Sequence, residues 1–361
     1  MPRLSYFINS KQPAVNLKTA TLLFASLVIS PAVQSSQDPY SEGMKAYQSE
    51  VENLEKRLGY IGPRLPIPKL QEIAPDTFMA VGSQIWGTRN NFGFNNNMTA
   101  VIFDNGVFIY NAGPNEPVAY AFHMQLKEIT DKPVKWVAIE NNQGHANMGA
   151  SYWHDIGVKN IYSQKQATEE FNKKFEQHKA RYMAASGNVI NQHSHNVTSA
   201  YTTFEDAMSI DVGNGETVEL INYGGGHTPT MSGAIVPSRK LIFTGDLGFN
   251  QRVPGLFKGG SYQDWIASFN KMEQTAATHF PLEQAVVIPG HGTADSMQTI
   301  RQQTVGYFEE VSGKIKQIIA QGGGLEQALK VDQSAHKDRP VFGQLAEPNA
   351  EFIYKELVAQ K

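Results

Sequence analysis

Three short segments each set a metal-capable side chain at the end of an apolar run and beside glycine. GGGHTPTMSG carries His227, LIFTGDLGF carries Asp246 and VVIPGHGT carries His291. Glycine lets the backbone turn sharply at a strand end, which aims the side chain into the cleft at a sheet's edge. Two imidazoles and one carboxylate delivered this way are nitrogen and oxygen donors suited to zinc, or to a metal like iron. Singly, each has a plainer role: His227 can cap a strand, Asp246 can begin a turn, and His291 can be a satisfied core histidine. Three in series, each after an apolar strand, favour a metal centre over three coincidences.

The elements that must position them follow from the pattern. TFMAVGSQIWG, MTAVIFDN and GVFIYNAG are short runs rich in β-branched and aromatic residues and punctuated by Gly and Asn, which predicts strands, with FDNG as a hairpin turn. EPVAYAFHMQLKEIT has helical spacing, KPVKWVAIE reads as a buried strand, and ASYWHDIG opens a further helix. VKNIYS is the next strand, and QATEEFNKKFEQHKARYMAAS a long polar helix. Strands return at TVELINYG, SGAIVPS, KLIFTGD and AVVIPGHG, and residues 186–203 are expected to form a long loop. Hairpins, then helices between successive strands, imply two sheets, each covered on its outside by helices.

Bulk properties narrow the class. The 361 residues are 41% hydrophobic and 10% aromatic, enough for a sizeable core, and a net charge of −3 leaves no basic surplus for nucleic acid. Cysteine is absent, which excludes disulfides, thiolate metal sites and cysteine nucleophiles. Arg3, Lys11 and Lys18 precede the apolar run TATLLFASLVIS and the small-residue exit PAVQSSQ, the pattern of a signal peptide over 1–35. A periplasmic or secreted protein is expected, with no stable membrane anchor after cleavage, because the run is shorter than the ~20 apolar residues of a spanning helix. Residues 36–75, a helix from Ser41 followed by the proline-rich GPRLPIPKL, are expected as an appended arm. The main domain is assigned to 76–296, and 297–361 to C-terminal helices packed on it.

The segments around His227, Asp246 and His291 resemble the second half of the metallo-β-lactamase superfamily, with its GHTPG-like turn, LFTGD strand and terminal PGHG. The resemblance runs from about Phe78 to Gly292, and the tail is similar to a periplasmic branch of hydrolases related to sulfur-oxidation and quinoprotein-associated members. It implies an α/β (α+β) fold, a four-layer αββα sandwich, with the metal site at one edge between the sheets. It also implies that His227, Asp246 and His291 are ligands. The loop after the KPVKWV-type strand departs from the pattern. There the superfamily carries His-x-His-x-Asp-His, whereas this chain reads IENNQGHANMGASYW. Counted without gaps, Asn141 and Gln143 stand at the two His, His145 at the Asp and Ala146 at the last His. A gapped count puts Gln143 and His145 at the two His and Asn147 at the Asp. YNAG likewise stands where Asp-x-Gly is usual.

Neutral amides bind divalent cations far more weakly than imidazole, so a two-metal site is not expected. His145, His227, Asp246 and His291 remain as ligands for one divalent metal, zinc or iron. Asp246 and His145, with Asn141 and Gln143 hydrogen-bonding water or substrate, form the expected catalytic set. The expected activity is metal-dependent hydrolysis of a small ester, lactone or sulfate-like molecule. The rival is a metallo-β-lactamase-like binding protein without catalysis, and redox or lyase chemistry at a different metal stands behind both. Arg252, Lys258, Trp86 and Phe92 are candidate substrate contacts; for the two cations a solvated loop charge is the plainer role, and for the two aromatics the core is. His193 and His195, in a polar loop, could replace a lost ligand pair, and His123 reads as packed or solvent-facing.

Overall fold

Apolar runs without alternation, such as MTAVIF and GVFIY, suit strands covered on both faces, and the structure buries every residue of both. It is a computed structural model, and it describes residues 65–187 and 194–359. The first sheet takes its strands in chain order: β1 (Gln71–Ala74), β2 (Thr77–Ala80), β3 (Met98–Phe103), β4 (Gly106–Tyr110), β5 (Val134–Ile139), β6 (Asn160–Gln164) and β7 (Tyr201–Phe204). β1 to β4 form an antiparallel meander, and β4 to β7 run parallel. The second sheet holds β8 (Ala207–Gly213), β9 (Glu216–Gly224), β10 (Met231–Val236), β11 (Leu241–Phe249) and β12 (Val286–His291), antiparallel except between β11 and β12.

Parallel neighbours need crossovers, and helices supply them. α1 (Glu116–Lys127) joins β4 to β5, and α2 (Gly144–Asn147) with α3 (Ala150–Asp155) joins β5 to β6. α4 (Lys165–Ser186) leads from β6 towards β7, and α5 (Tyr262–Ala277) joins β11 to β12. α6 (Met297–Ala320), α7 (Leu325–Leu329) and α8 (Phe342–Ala359) follow. The helix starts are locally encoded: Asn115, Ser261 and Ser296 accept the backbone N–H groups of Val118, Asp264 and Thr299.

Successive side chains on a strand point to opposite faces, and here the two faces feed different cores. Ala100 and Ile102 of β3, Val107 and Ile109 of β4, and Val137 and Ile139 of β5 pack outward with Phe122 of α1 and Trp153 of α3. Val101, Phe103, Phe108, Tyr110 and Trp136 face the second sheet's Leu220, Val236, Phe243 and Ile288. That sheet's other face, with Ile242 and Phe249, is covered by Trp265 and Phe269 of α5, Phe308 of α6 and Ile353 of α8. The four αββα layers are those expected.

Several boundaries differ from the sequence pattern. β1 lies inside the proline-rich arm and pairs with β2 as the edge of the first sheet. β7 falls largely within the expected loop 186–203, and β8 had no counterpart in the reading. Both are only partly buried and mix polar with apolar residues, so neither has the buried-run signature that marks the central strands. The expected signal peptide, the helix from Ser41 and His193 lie outside the described residues. Among the described residues no helix is long and apolar enough to cross a membrane.

Candidate metal centre

Polar residues gather where β4, β5, β11 and β12 end at one edge between the sheets. Asp246 is at the middle. β11 loses register with β12 on both sides of Gly245, which sits at φ +53°. This bulge turns the Asp246 carboxylate away from the ladder. A Cβ at Gly245 would collide with the Glu140 carboxylate, and one at Gly290 would stand 2.7 Å from Asp246 Oδ1. The glycines of TGD and PGHG therefore make room for the site itself.

Three imidazoles from separate segments present Nε2 to this fully buried carboxylate. His145, from α2, lies 3.1 Å from Oδ2; His227, from the turn between β9 and β10, lies 3.5 Å from Oδ2; His291, ending β12, lies 3.2 Å from Oδ1. Their protonation differs. His227 Nδ1 is 2.8 Å from the Gly255 carbonyl, so that nitrogen carries the proton and Nε2 keeps its lone pair. Burial lowers the pKa of His227 and keeps it neutral. His291 Nδ1 lies 3.0 Å from Arg252 Nη1. An arginine only donates, so Nδ1 is the acceptor and the proton sits on Nε2, the nitrogen 3.2 Å from Asp246 Oδ1. Burial and then Arg252 lower the pKa of His291 to about 3. His145 goes the other way: burial opposes its charge, but Asp246 and then Glu140 outweigh burial and raise it to about 9. Burial likewise works against the Asp246 anion, but His145 and His291 hold its pKa well below the usual carboxylate range.

Glu140, not among the residues expected from the sequence, is the second buried carboxyl group. Its Oε1 is 3.7 Å from His145 Nε2, and the donor atoms of Glu140, His145 and Asp246 all lie within 4.8 Å of one another. Burial and then Asp246 raise its pKa. Amides surround the pair. Asn96 Nδ2 donates to Glu140 Oε1 at 2.9 Å and Asp246 Oδ1 at 3.1 Å; Asn111 Nδ2 donates to Glu140 Oε1 at 3.0 Å; Asn141 Nδ2 donates to Asp246 Oδ2 at 3.3 Å. The Asp246 backbone N–H donates to Glu140 Oε2. The clue to Glu140 was an acidic residue closing the apolar strand KPVKWVAIE, because a carboxylate is almost never fully buried unless paired.

The other candidates divide. Gln143 caps α2 through its backbone: its N–H donates to Asn141 Oδ1 and its carbonyl accepts from Asn147 Nδ2. Arg252 is buried, touches His291 and lies with its guanidinium 4.6 Å from the centre of the Trp86 ring. Trp86 also walls a cavity of about 460 Å³ lined by Ile85, Thr88, Lys337, Arg339 and Phe342. Phe92 is a core residue packed beneath the first sheet, and Lys258 is exposed on a turn. Their positions give neither a part in the network on Asp246, and the reason is local. Phe92 follows two asparagines into a left-handed turn at φ +56° that buries its ring, and Lys258 precedes a glycine turn in water. His123 packs against Tyr152 and Trp153, its Nδ1 2.7 Å from the Tyr152 hydroxyl.

No protein-family model matches the sequence, and no curated protein matches it. Among solved structures, DIM-1 metallo-β-lactamase exposed to ceftazidime aligns with a TM-score of 0.50 at 16% identity, over 66% of this chain and 96% of that one. TMB-1 aligns with the same TM-score, 0.50, at 16% identity and the same coverage, 66% and 96%. The chain has the metallo-β-lactamase fold. At this identity the likeness speaks for the fold alone, so the chemistry must come from the residues described above.

Proposed function

We propose that this protein is a metal-dependent hydrolase with a single divalent ion, best matched by zinc, acting on a small ester, lactone or sulfate-like substrate. One observation carries the reading. The Nε2 lone pair of His227 and Asp246 Oδ2 face each other at 3.5 Å in a buried site, and two acceptors so placed call for a cation between them. His145 Nε2 is buried 3.1 Å from the same oxygen without hydrogen-bond geometry. Adjacent donors around a tetrahedral ion with bonds of ~2.1 Å stand about 3.4 Å apart, close to both distances. The two pairs on Asp246 have ligand spacing, and His145, His227 and Asp246 are taken as the ligands, with Glu140 completing the set of donors that lie within 4.8 Å of one another around His145 and Asp246. His291, held by Arg252 with its proton on Nε2, fits better as the donor that steadies Asp246 Oδ1. This revises the expected set of four ligands to three, the number that leaves a position open for water in catalytic sites.

Such an ion supplies Lewis-acid activation of water and of the substrate oxygen when bound. The chain's own groups do the rest. Phe249, Phe257 and Trp265 pack around the His227 ring and keep that side dry. Asn141 and Asn96 orient Asp246, and Arg252 holds a buried positive charge beside His291, available to an acyl or sulfuryl oxygen as it gains charge during hydrolysis. The cavity beyond Trp86 receives the remainder of the substrate.

A second reading, a binding protein without turnover, has an observation of its own. The His145 imidazolium and Arg252 guanidinium already balance the Asp246 and Glu140 carboxylates. Metal analysis of the purified protein separates the two readings. A hydrolase loses one zinc equivalent, and activity on 4-nitrophenyl acetate or 4-nitrophenyl sulfate, in His145→Ala and His227→Ala. His291→Asn keeps the equivalent with affinity roughly 10–100-fold weaker. Protein whose metal content ignores these changes, and whose melting ignores chelator, supports the binding reading.

A further inference from the structure

His195 does not replace a lost ligand at the buried centre; it joins a different cluster at the end of α3. His154 Nδ1 and His195 Nε2 approach the same oxygen, Asp155 Oδ1, at 3.1 and 3.3 Å. The three donor atoms all lie within 4.8 Å of one another. Both short distances match the separation of about 3.4 Å between neighbouring ligands around a tetrahedral zinc with ~2.1 Å bonds.

The supports are rigid. His154 and Asp155 follow Trp153, which is fully buried and donates from Nε1 to the Ala112 carbonyl at 3.0 Å. On one side of His195, Lys179 Nζ donates to the Ser194 carbonyl at 2.8 Å; on the other, Asn196 Nδ2 donates to Asn172 Oδ1 at 2.7 Å. Two contacts to α4 thus fix the backbone that carries His195, and a preorganised donor set binds without the cost of ordering it. The side chains of His154, Asp155 and His195 are 37%, 24% and 50% exposed, so a hydrated ion can reach them and keep water in its remaining positions.

We infer that His154, Asp155 and His195 form a second metal site, taking a borderline divalent ion of the zinc class through two imidazole nitrogens and one carboxylate oxygen. The bound ion clips the C-terminal end of α3 to the segment that leads into β7.

The test is a zinc count on the full chain after metal removal and equilibrium dialysis against low-micromolar zinc, with circular dichroism reporting the fold. In a His227→Ala background, His195→Ala loses one zinc equivalent and Asp155→Asn binds it at least tenfold more weakly. His154→Gln serves in place of any variant that does not fold. A count unchanged across the folded variants overturns the site and leaves an ordinary hydrogen-bonded cluster. The outcome is independent of the buried centre. If that centre holds no metal, His227→Ala leaves the count unaltered while His195→Ala still lowers it.

Discussion

Asn111 and Asn141 show what a neutral amide does beside a buried carboxylate. Each turns an N–H towards a buried carboxylate, Asn111 to Glu140 and Asn141 to Asp246. An Asp at position 111 would set a third anion 3 Å from Glu140 with nothing to balance it. Asn111→Asp is therefore expected to lower the stability of the metal-free protein by about 2 kcal/mol or more, read as a drop in denaturant midpoint at neutral pH. An unchanged midpoint would mean that Glu140 is not held as the anion this network implies. Asn111 also adopts φ +69°, a left-handed conformation that Asp tolerates as well, so backbone strain does not confuse the comparison.

At the scale of elements, the C-terminal helices do more than cover the second sheet. Asn349 of α8, fully buried, accepts the Leu256 N–H at 2.8 Å and donates to the Pro254 carbonyl at 2.8 Å. It also donates to the Tyr307 hydroxyl of α6 at 2.9 Å. One side chain thus anchors the loop that carries Arg252 and the Gly255 carbonyl, the latter fixing the tautomer of His227. Asn349→Ala strands a buried N–H and a buried carbonyl, with an expected loss of about 2–3 kcal/mol. Added to that is weaker zinc retention at the buried centre, measured on protein still folded. Arg339 works on the same loop, donating to the carbonyls of Gln251 and Arg252. The tail is therefore part of the site's scaffold, which explains why the loop can hold a guanidinium out of water.

For the whole molecule, acid stability offers a check independent of any metal. Burial lowers the pKa of His123 to about 4, while the unfolded chain titrates near 6.5. The unfolded state therefore takes up this proton first as pH falls. The stability tied to neutral His123 is complete above about pH 6.5 and is lost between about 6.5 and 4. The group is partly exposed, so the loss is on the order of 2 kcal/mol, below the full linkage value. His123→Gln should flatten the fall in melting temperature across that window by one proton's share. Equal slopes in the two proteins would show that His123 is solvated rather than packed against Trp153.

The residue pattern carried two sheets covered outside by helices, because fully buried strands are apolar throughout, and the resemblance supplied their αββα stacking. The pattern also carried His227, Asp246 and His291, since glycine beside a strand end is visible in the residue string. It could not show Glu140 as a partner of Asp246, because 106 positions separate them and only the bulge at Gly245 brings them together. Nor could it tell which imidazole keeps its lone pair on Nε2. The lone pairs of His227 and His291 are fixed by a carbonyl at 255 and a guanidinium at 252, and hydrogen-bond direction depends on the neighbour that folding supplies. The same holds for His154, Asp155 and His195: they meet only because α3 and the chain after α4 pass side by side.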